Sequence, residues 1–360
     1  MYCDFYSLVD RENSIPRFIK AIAKEIKRCS VDVSQWIFET IFIGGGTPSI
    51  LDAKHIETIL SSLSNKYDLS AIKEFTIEAN PGEAPLERLN DIYSLGINRI
   101  SIGVQTLEPK LLSFLTRIHT VNQVFKTFDN ARTAGFNNIN CDLIYSIPGQ
   151  SWKIWERDLN QIIELQPNHI SAYTLTLEKG TDLYQSVKKG LIRMPDDNQT
   201  GDWFLNTHDI LDSNKYKAYE ISNFSKPGME CRHNLNYWRI LPYLAFGPSA
   251  HGFDGSNRWN NIRSLGKYLS QIESNKPPIS KNETLSNIDR INEIIGFGLR
   301  MREGFDLMNI PKQKKYHFKK NYNFVKSKYP DCFATKDSIV ALTKKGMLYS
   351  DKIIPELLLN

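Results

Sequence analysis

The sequence predicts an α/β fold in which parallel strands alternate with helices, because two kinds of segment alternate along its first two-thirds. One kind is a short apolar or β-branched run, which is typical of a buried strand. These runs are Thr40–Ile43, Phe75–Glu78, Arg99–Val104, Asn140–Tyr145, Ile170–Leu177 and Ala218–Ile221. The other kind has apolar residues at helical spacing, and the alternation of the two predicts βα units.

The helical segments lie between these runs and before the first of them. Ile15, Ile19 and Ile22 recur at helical spacing. Asp52 and Ser151 are good N-cap residues in front of two further helical patterns. Six strands with intervening helices fit either an open doubly wound sheet or a partial βα barrel.

Polar residues at the ends of the predicted strands favour the barrel. Gly44–Pro48 follows the first strand, Glu78 ends the second, Gln105 and Thr106 end the third, and Asp142 lies in the fourth. Loops at the carboxyl ends of barrel strands converge on one mouth. A strand end can be polar simply because it meets water, but four such ends in order favour a binding site.

The alternation stops near residue 255, which predicts a second domain. We assign a barrel domain to residues 1–255 and a smaller, mostly helical, winged-helix-like domain to residues 256–360, with a short hairpin at Leu342–Leu348. The lysines and aromatic residues of Pro311–Pro330 could bind a single nucleic-acid strand. A solvated lysine face opposite an aromatic core face is the simpler interpretation, so we expect no nucleic-acid partner.

Composition narrows the class of protein. The chain has 360 residues, 41% of them hydrophobic, and a net charge of only +5, which excludes disordered and collagen-like chains. We found no signal-peptide core and no uncharged apolar run of about 18 residues, so we expect a cytoplasmic protein without a transmembrane segment. The five cysteines form no CxxC pair, so local spacing predicts no closed metal site. They are Cys3, Cys29, Cys141, Cys231 and Cys332.

Two motifs point to ligands. The glycines of Gly44–Pro48 would let a ligand approach the backbone, but they match neither the dinucleotide fingerprint nor the phosphate loop. His233–Trp238 combines an imidazole, a phenol and an indole. Imidazole is a usual axial ligand of haem iron and aromatic rings pack well on a porphyrin, although a lone histidine is more often structural.

Together these motifs resemble one family over nearly the whole chain. The sequence is similar to the radical S-adenosylmethionine branch that contains oxygen-independent coproporphyrinogen oxidases and HemW-type haem chaperones. The segments that carry the resemblance are Tyr2–Phe5, Gly44–Pro48, Glu78–Pro81, Gly103–Thr106, Asp142–Ile144, Pro148–Gln150, His233–Trp238, Gly247–Gly252 and Leu342–Leu348. The resemblance implies a partial (β/α)6 barrel followed by a smaller, mostly helical domain.

The resemblance also implies a set of site residues. For S-adenosylmethionine they are Gly45, Gly46, Thr47, Glu78, Gln105, Arg117 and Asp142. For haem they are His233 and Tyr237. The implied partners are haem and the apoproteins that receive it, and the oligomeric state stays open.

Two features separate the chaperones from the oxidases of this branch. The oxidases carry an extra cysteine two residues after the third cluster cysteine, where this chain has Phe5, and they lack the H-N-x-x-Y-W motif that begins here at His233. Both features favour a haem chaperone without enzymatic activity. A coproporphyrinogen-oxidase-like oxidoreductase and a non-functional remnant of the family are the alternatives.

The cluster motif departs from the family pattern. The family holds its [4Fe-4S] cluster with C-x3-C-x2-C, and Cys3 matches the third cysteine, so the other two positions and the first barrel strand would precede Met1. Either translation starts upstream, or the chain is the remnant of a family member. One thiolate cannot hold the irons of a cluster, so as a metal ligand Cys3 is doubtful alone.

We therefore expect the 360-residue chain to take up no [4Fe-4S] cluster on anaerobic reconstitution with iron and sulfide. The measurement is the iron content after desalting, with a Cys3→Ser variant as the control. A stoichiometry of about four irons per chain that is lost in the variant would contradict this expectation.

Overall fold

A computed structural model describes Tyr2 and Glu12–Leu359, and this part of the chain forms two compact units. Unit 1 comprises Met1–Cys141, Glu178–Asp182 and Pro242–Thr284. Unit 2 comprises Asp142–Leu177, Leu183–Leu241 and Leu285–Asn360. Cys3 and Phe5 lie outside the described residues, and the division at residue 255 stays a prediction.

The described residues contain strands and helices in alternation. The strands are β1 Thr40–Ile43, β2 Glu74–Ala79, β3 Arg99–Gln105, β4 Asn138–Tyr145, β5 His169–Thr174, β6 Lys217–Ala218, β7 Asn223–Ser225, β8 His251–Phe253, β9 Asn257–Asn261, β10 Ile279–Thr284, β11 Phe305–Asp306, β12 Phe333–Lys336 and β13 Ile339–Leu342. The helices are α1 Ile15–Arg28, α2 Ala53–Ser64, α3 Leu86–Ser94, α4 Pro109–Phe114, α5 Val121–Thr133, α6 Trp152–Glu164, α7 Asp182–Lys188, α8 Asp197–Ser213, α9 Arg232–Trp238, α10 Leu265–Glu273, α11 Asn287–Gly298, α12 Lys312–Lys328, α13 Lys344–Leu348 and α14 Ser350–Leu357. The described helices include none that is both long and apolar enough to cross a membrane.

The main sheet confirms the predicted α/β class. Its strand order is β1-β2-β3-β4-β5-β7-β6, and β1, β2 and β3 are parallel. Thr40 pairs with Glu74, and Ile77 pairs with Ile100. Every residue of β3 is buried, as expected for a parallel strand covered on both faces. The parallel register places the carboxyl ends of these three strands at one edge of unit 1.

The prediction of a sixth parallel strand at Ala218–Ile221 is wrong. The chain instead forms the two short strands β6 and β7, and β7 is antiparallel to both β5 and β6. Only Tyr219–Ser222 connects β6 to β7, and the amide of Tyr219 donates to the carbonyl of Asn223. A parallel pair needs a crossover of a dozen or more residues. A connection as short as this one therefore forces an antiparallel pair.

Two further differences concern the region after residue 255. The sequence did not predict β9 and β10, which are antiparallel partners, because every residue of β10 is exposed and shows no apolar alternation. The predicted hairpin at Leu342–Leu348 is also misplaced. The turn lies between β12 and β13, where Asp337 has φ +54°, and the next residues form α13, capped by Thr343.

A buried carboxylate attaches α1 to a later part of unit 1. Glu25 Oε2 accepts hydrogen bonds from Gly247 N at 2.9 Å and from Tyr268 Oη at 2.5 Å. Its Oε1 accepts from Asn261 Nδ2 at 2.6 Å. Burial raises the pKa of the Glu25 carboxyl, and the three hydrogen bonds oppose that shift. These hydrogen bonds satisfy the buried carboxylate oxygens of Glu25. Burial of the same oxygens without donors would destabilise the fold.

The core of unit 2 contains a buried histidine. His208 on α8 packs between the rings of Phe204 and Phe224, at centroid distances of 4.3 and 4.7 Å. Its Nε2 lies 3.2 Å from the carbonyl oxygen of Ile221. Burial lowers the pKa of His208 to about 4, so its imidazole stays neutral in the folded protein at neutral pH.

This histidine makes stability depend on pH. Its pKa rises from about 4 in the folded chain to about 6.5 on unfolding, so the unfolded chain binds more protons between these values. The free energy of unfolding should therefore fall as the pH drops from 6.5 to 4, by up to about 3 kcal/mol. Urea unfolding at several pH values should show this slope, and His208→Gln should flatten it. His317→Gln, at an exposed site on α12, is the control, and an equal slope in His208→Gln and wild type would contradict the assignment.

Candidate functional site

The loop after β1 is held by a carboxylate at the end of β2. Gly45 N donates a hydrogen bond to Glu78 Oε2 at 2.9 Å. A Cβ on Gly44 would clash with the Phe42 ring and lie 2.9 Å from the same carboxylate oxygen. Gly45 has φ +118°, which other residues rarely adopt. Glycine at both positions lets the loop lie close to Glu78.

Asn80 links this loop to the arginine that the sequence predicted. Its Nδ2 donates to Thr47 Oγ1 at 2.9 Å, and its Oδ1 accepts from Arg117 Nη1 at 3.1 Å. Asn80 is not among the residues predicted for the site, although it lies in the segment Glu78–Pro81 that carries the family resemblance. The period of a β-strand could have indicated Asn80, because residues two positions apart, such as Glu78 and Asn80, point to the same side of a strand.

Arg117 also contacts the amino-terminal segment. Its Nη2 donates to Tyr2 Oη at 2.7 Å, and its guanidinium carbon lies 5.8 Å from the centroid of the Tyr2 ring. Tyr2 is the residue before Cys3 in the sequence. Burial lowers the pKa of the nearby His119, and the charge of Arg117 acts in the same direction. Arg117 therefore disfavours a second positive charge at this position.

Gln105 completes this part of unit 1 from the end of β3. It is 7% exposed and has φ +67°, an uncommon backbone conformation for a residue other than glycine. A Cβ on Gly103 would lie 2.9 Å from Gln105 Nε2 and 3.3 Å from Asn80 Oδ1. The two amide side chains therefore lie against the backbone of Gly103, and their positions depend on the missing Cβ.

Unit 1 thus brings together most of the residues predicted for S-adenosylmethionine. Gly45 is hydrogen-bonded directly to Glu78, and Asn80 connects Thr47 to Arg117. Gly46 is exposed in the same loop. Asp142 is half-buried on β4 and belongs to unit 2, so its assignment remains a prediction from the resemblance.

The arrangement in unit 1 combines both signs of charge. A guanidinium offers a planar fork of donors that suits a carboxylate, and a carboxylate such as Glu78 accepts hydrogen bonds from an ammonium group or a hydroxyl. The exposed glycine loop leaves room for a ligand to approach the backbone. These groups suit a zwitterionic ligand of amino-acid type.

A second candidate site lies on α9 in unit 2. His233 Nε2 and Tyr237 Oη are 2.9 Å apart, and the two rings meet edge to face at 4.9 Å. None of the residues of α9 is buried, and Tyr237 is 40% exposed. The helix therefore presents an imidazole and a phenol, one turn apart, at the protein surface.

The other side of α9 is tied to the protein interior. Asn234 Nδ2 donates to Tyr219 Oη at 3.1 Å, and the same hydroxyl lies 2.9 Å from Nε2 of the buried His169. Because Tyr219 Oη accepts from Asn234, its own hydrogen can go to His169, which requires the neutral ring with Nδ1 protonated. This chain of hydrogen bonds fixes the orientation of α9.

Among Tyr2 and Glu12–Leu359, no three His, Cys, Asp or Glu side chains lie close enough to hold a metal ion. Within the same range the cysteines that form no disulfide are Cys29, Cys141, Cys231 and Cys332, and of these Cys29 alone is not buried. Cys3 itself lies outside the described residues, so its role stays a prediction.

Comparison of the fold shows an extensive structural match. The chain superimposes on coproporphyrinogen III oxidase (HemN) from Escherichia coli, a radical SAM enzyme, with a TM-score of 0.82. The match covers 99% of this chain and 86% of the oxidase, at 20% sequence identity. At this identity the match shows the fold, which is that of the radical SAM barrel proteins.

Comparison of the sequence shows the family. Residues 1–162 match the model of the Radical SAM superfamily. The heme chaperone HemW of Lactococcus lactis subsp. lactis (strain IL1403) is 33% identical over 98% of this chain and 88% of its own length. The heme chaperone HemW of Bacillus subtilis (strain 168) is 33% identical over 84% of this chain and 80% of its own length. The chain therefore belongs to the HemW haem chaperone family of the radical SAM superfamily.

Proposed function

We propose that this chain binds haem in the cytoplasm and delivers it to haem-receiving apoproteins, while unit 1 holds S-adenosylmethionine. The names of the relatives from Lactococcus and Bacillus support the haem part, and the superfamily match supports the cofactor part. The exposed pair of His233 and Tyr237 on α9 is the observation that carries the proposal. An exposed site suits a protein that must release its cargo.

The surroundings of α9 suit a large, flat and apolar ligand. Met229 is 36% exposed just before the helix, and Leu241 is 45% exposed just after it. Binding of a porphyrin over apolar and aromatic side chains removes them from water, which lowers the free energy of the complex. The imidazole of His233 is the group of α9 that suits haem iron, and its hydrogen bond to Tyr237 orients the ring.

Substitution of the histidine tests this assignment. His233→Ala should lower haem affinity at least about tenfold and change the Soret band, because the iron loses its imidazole ligand. Tyr237→Phe keeps the ring and removes the Oη contact, so a smaller loss is expected. Haem titration followed by absorbance gives both quantities.

The matched control is His317→Ala, which removes an exposed histidine on α12 of the same unit. It should leave the haem titration unchanged, since exposed histidines in general are not expected to bind the iron. Identical Soret shifts in wild type and His233→Ala would remove His233 from the proposed site.

The groups in unit 1 fit S-adenosylmethionine. Arg117 would hold its carboxylate, Glu78 its ammonium group, and the loop of Gly45, Gly46 and Thr47 would lie along the methionyl part. Beside a reduced [4Fe-4S] cluster, bound S-adenosylmethionine supplies radical chemistry to enzymes of this kind. Gln105 and Asp142 are proposed as further polar contacts of S-adenosylmethionine, and this assignment rests on the resemblance alone.

Asn80 offers a test of this site that leaves both charges in place. Asn80→Ala removes the link between Thr47 and Arg117, so S-adenosylmethionine affinity should fall about tenfold. Isothermal titration calorimetry measures the affinity. Asn65→Ala, at the exposed end of α2, is the control and should bind as wild type does. Equal affinities in Asn80→Ala and wild type would exclude Asn80 from the site.

A further inference from the structure

The helix α12 in unit 2 carries positive charge along its whole length. It contains seven lysines and no aspartate or glutamate. One side of the helix is apolar and buried, because Phe318 and Val325 belong to the core of unit 2. The lysines lie on the other sides, as is typical of a surface helix with one apolar stripe. This charge is therefore presented to the surroundings of the protein.

Acidic neighbours neutralise only part of this charge. Lys328 Nζ lies 2.7 Å from Glu356 Oε1, and the negative charge of Asp306 interacts with Lys315. The exposed side of α12 is different. Lys312, Lys319 and Lys320 are exposed, and within the part of the chain that the structure describes no carboxylate lies at ion-pair distance from them. Three cations on this side of the helix are thus available to an external anion.

The exposed side of α12 also alternates cations with aromatic rings. Lys312, Tyr316, Lys320 and Phe324 follow one another at intervals of four residues, so they form one row along the helix. The row is about 18 Å long. Tyr316 is 74% exposed and Phe324 is 65% exposed, and Met308, just before the helix, is 69% exposed. Large apolar side chains and unpaired cations therefore share one surface.

The core of unit 2 does not account for these exposed rings. Phe318 is fully buried, and Tyr322 and Tyr329 pack against the same core. Tyr316 and Phe324 belong to neither set and remain in water. A single exposed aromatic residue is ordinary, but two of them in a row with unpaired lysines indicate a binding surface.

An anionic lipid bilayer suits both kinds of side chain. Clusters of lysines on a helix are attracted to anionic headgroups, and their aliphatic stems can lie along apolar surface while the charge stays in water. Aromatic rings are favoured at the level of the headgroups. A bilayer is also flat, so it meets a whole row on a straight helix at once. An acidic protein surface would neutralise the lysines but would place polar groups against the rings.

We propose that the exposed side of α12 binds the anionic surface of a lipid bilayer. Lys312, Lys319 and Lys320 contact lipid phosphates, and Tyr316 and Phe324 lie among the headgroups. The opposite side of the helix stays in the core of unit 2, so α12 lies on the bilayer without crossing it. Haem plays no part in this contact, which uses no residue of α9.

Sedimentation of the haem-free chain with lipid vesicles tests this contact. Wild type should bind vesicles of phosphatidylcholine and phosphatidylglycerol at a ratio of about 2:1, and should not bind vesicles of phosphatidylcholine alone. Raising the salt concentration from about 0.05 M to about 0.5 M should release the bound protein, because salt screens the charges of the exposed lysines.

Two sets of substitutions separate the cations from the rings. Lys312→Gln, Lys319→Gln and Lys320→Gln together should weaken binding to the anionic vesicles at least about tenfold. Tyr316→Ser with Phe324→Ser keeps every charge and should weaken the same binding about tenfold, because the rings no longer enter the headgroup region. All five positions are exposed, so both variants should unfold at the same temperature as wild type.

The matched control is Lys153→Gln, Lys188→Gln and Lys189→Gln. It removes the same charge from exposed positions of unit 2 outside α12, and it should bind the anionic vesicles as wild type does. Equal losses in the two triple variants would overturn the assignment to α12, since net charge alone would then explain the binding.

Other outcomes would overturn the lipid contact itself. They are failure of wild type to bind the anionic vesicles, and equal binding to vesicles with and without phosphatidylglycerol. Retention on immobilised poly-glutamate without vesicle binding would also overturn it and would point to an acidic protein partner. None of these results changes the haem titrations, so the proposed function is tested separately.

Discussion

The parallel pairing of β1, β2 and β3 is the constraint on which unit 1 depends. Parallel strands bring their carboxyl ends to one edge, so the glycine loop after β1 lies beside the carboxylate of Glu78. A slip of one residue would turn Glu78 and Asn80 to the opposite face. Almost all side chains of β2 and β3 are buried, so a slip would also exchange the packing partners on both faces of the sheet, where close packing tolerates little change.

Satisfied polar groups organise both units. Glu25 has three donors, Asn80 bridges two side chains, and Tyr219 lies between Asn234 and His169. Each of these groups would destabilise the fold if it were buried alone. The donors Trp238 Nε1 and Arg300 Nε are among the buried side-chain atoms of the described residues that have no hydrogen-bond partner within the protein.

The helix α9 shows how a surface site can be rigid. One side is fixed by hydrogen bonds and aromatic packing, while the other presents His233 and Tyr237 to solvent. Ordering a ligand-binding side chain in advance lowers the entropy lost on binding. Both properties suit the proposed delivery of haem, in which the protein would bind its cargo firmly and still expose it to a recipient.

The sequence was enough to predict the α/β class and the first five strands and to identify the glycine loop and the motif of His233, because apolar periodicity and local motifs are written along the chain. It failed at β6 and β7, whose short connection set their direction, and at β10, whose exposed polar residues carry no apolar pattern. Only the tertiary structure revealed Asn80 as a link and placed Arg300 over Trp238, since those contacts join residues 37 and 62 positions apart. Such contacts depend on how the elements pack, and no local pattern in the sequence records it.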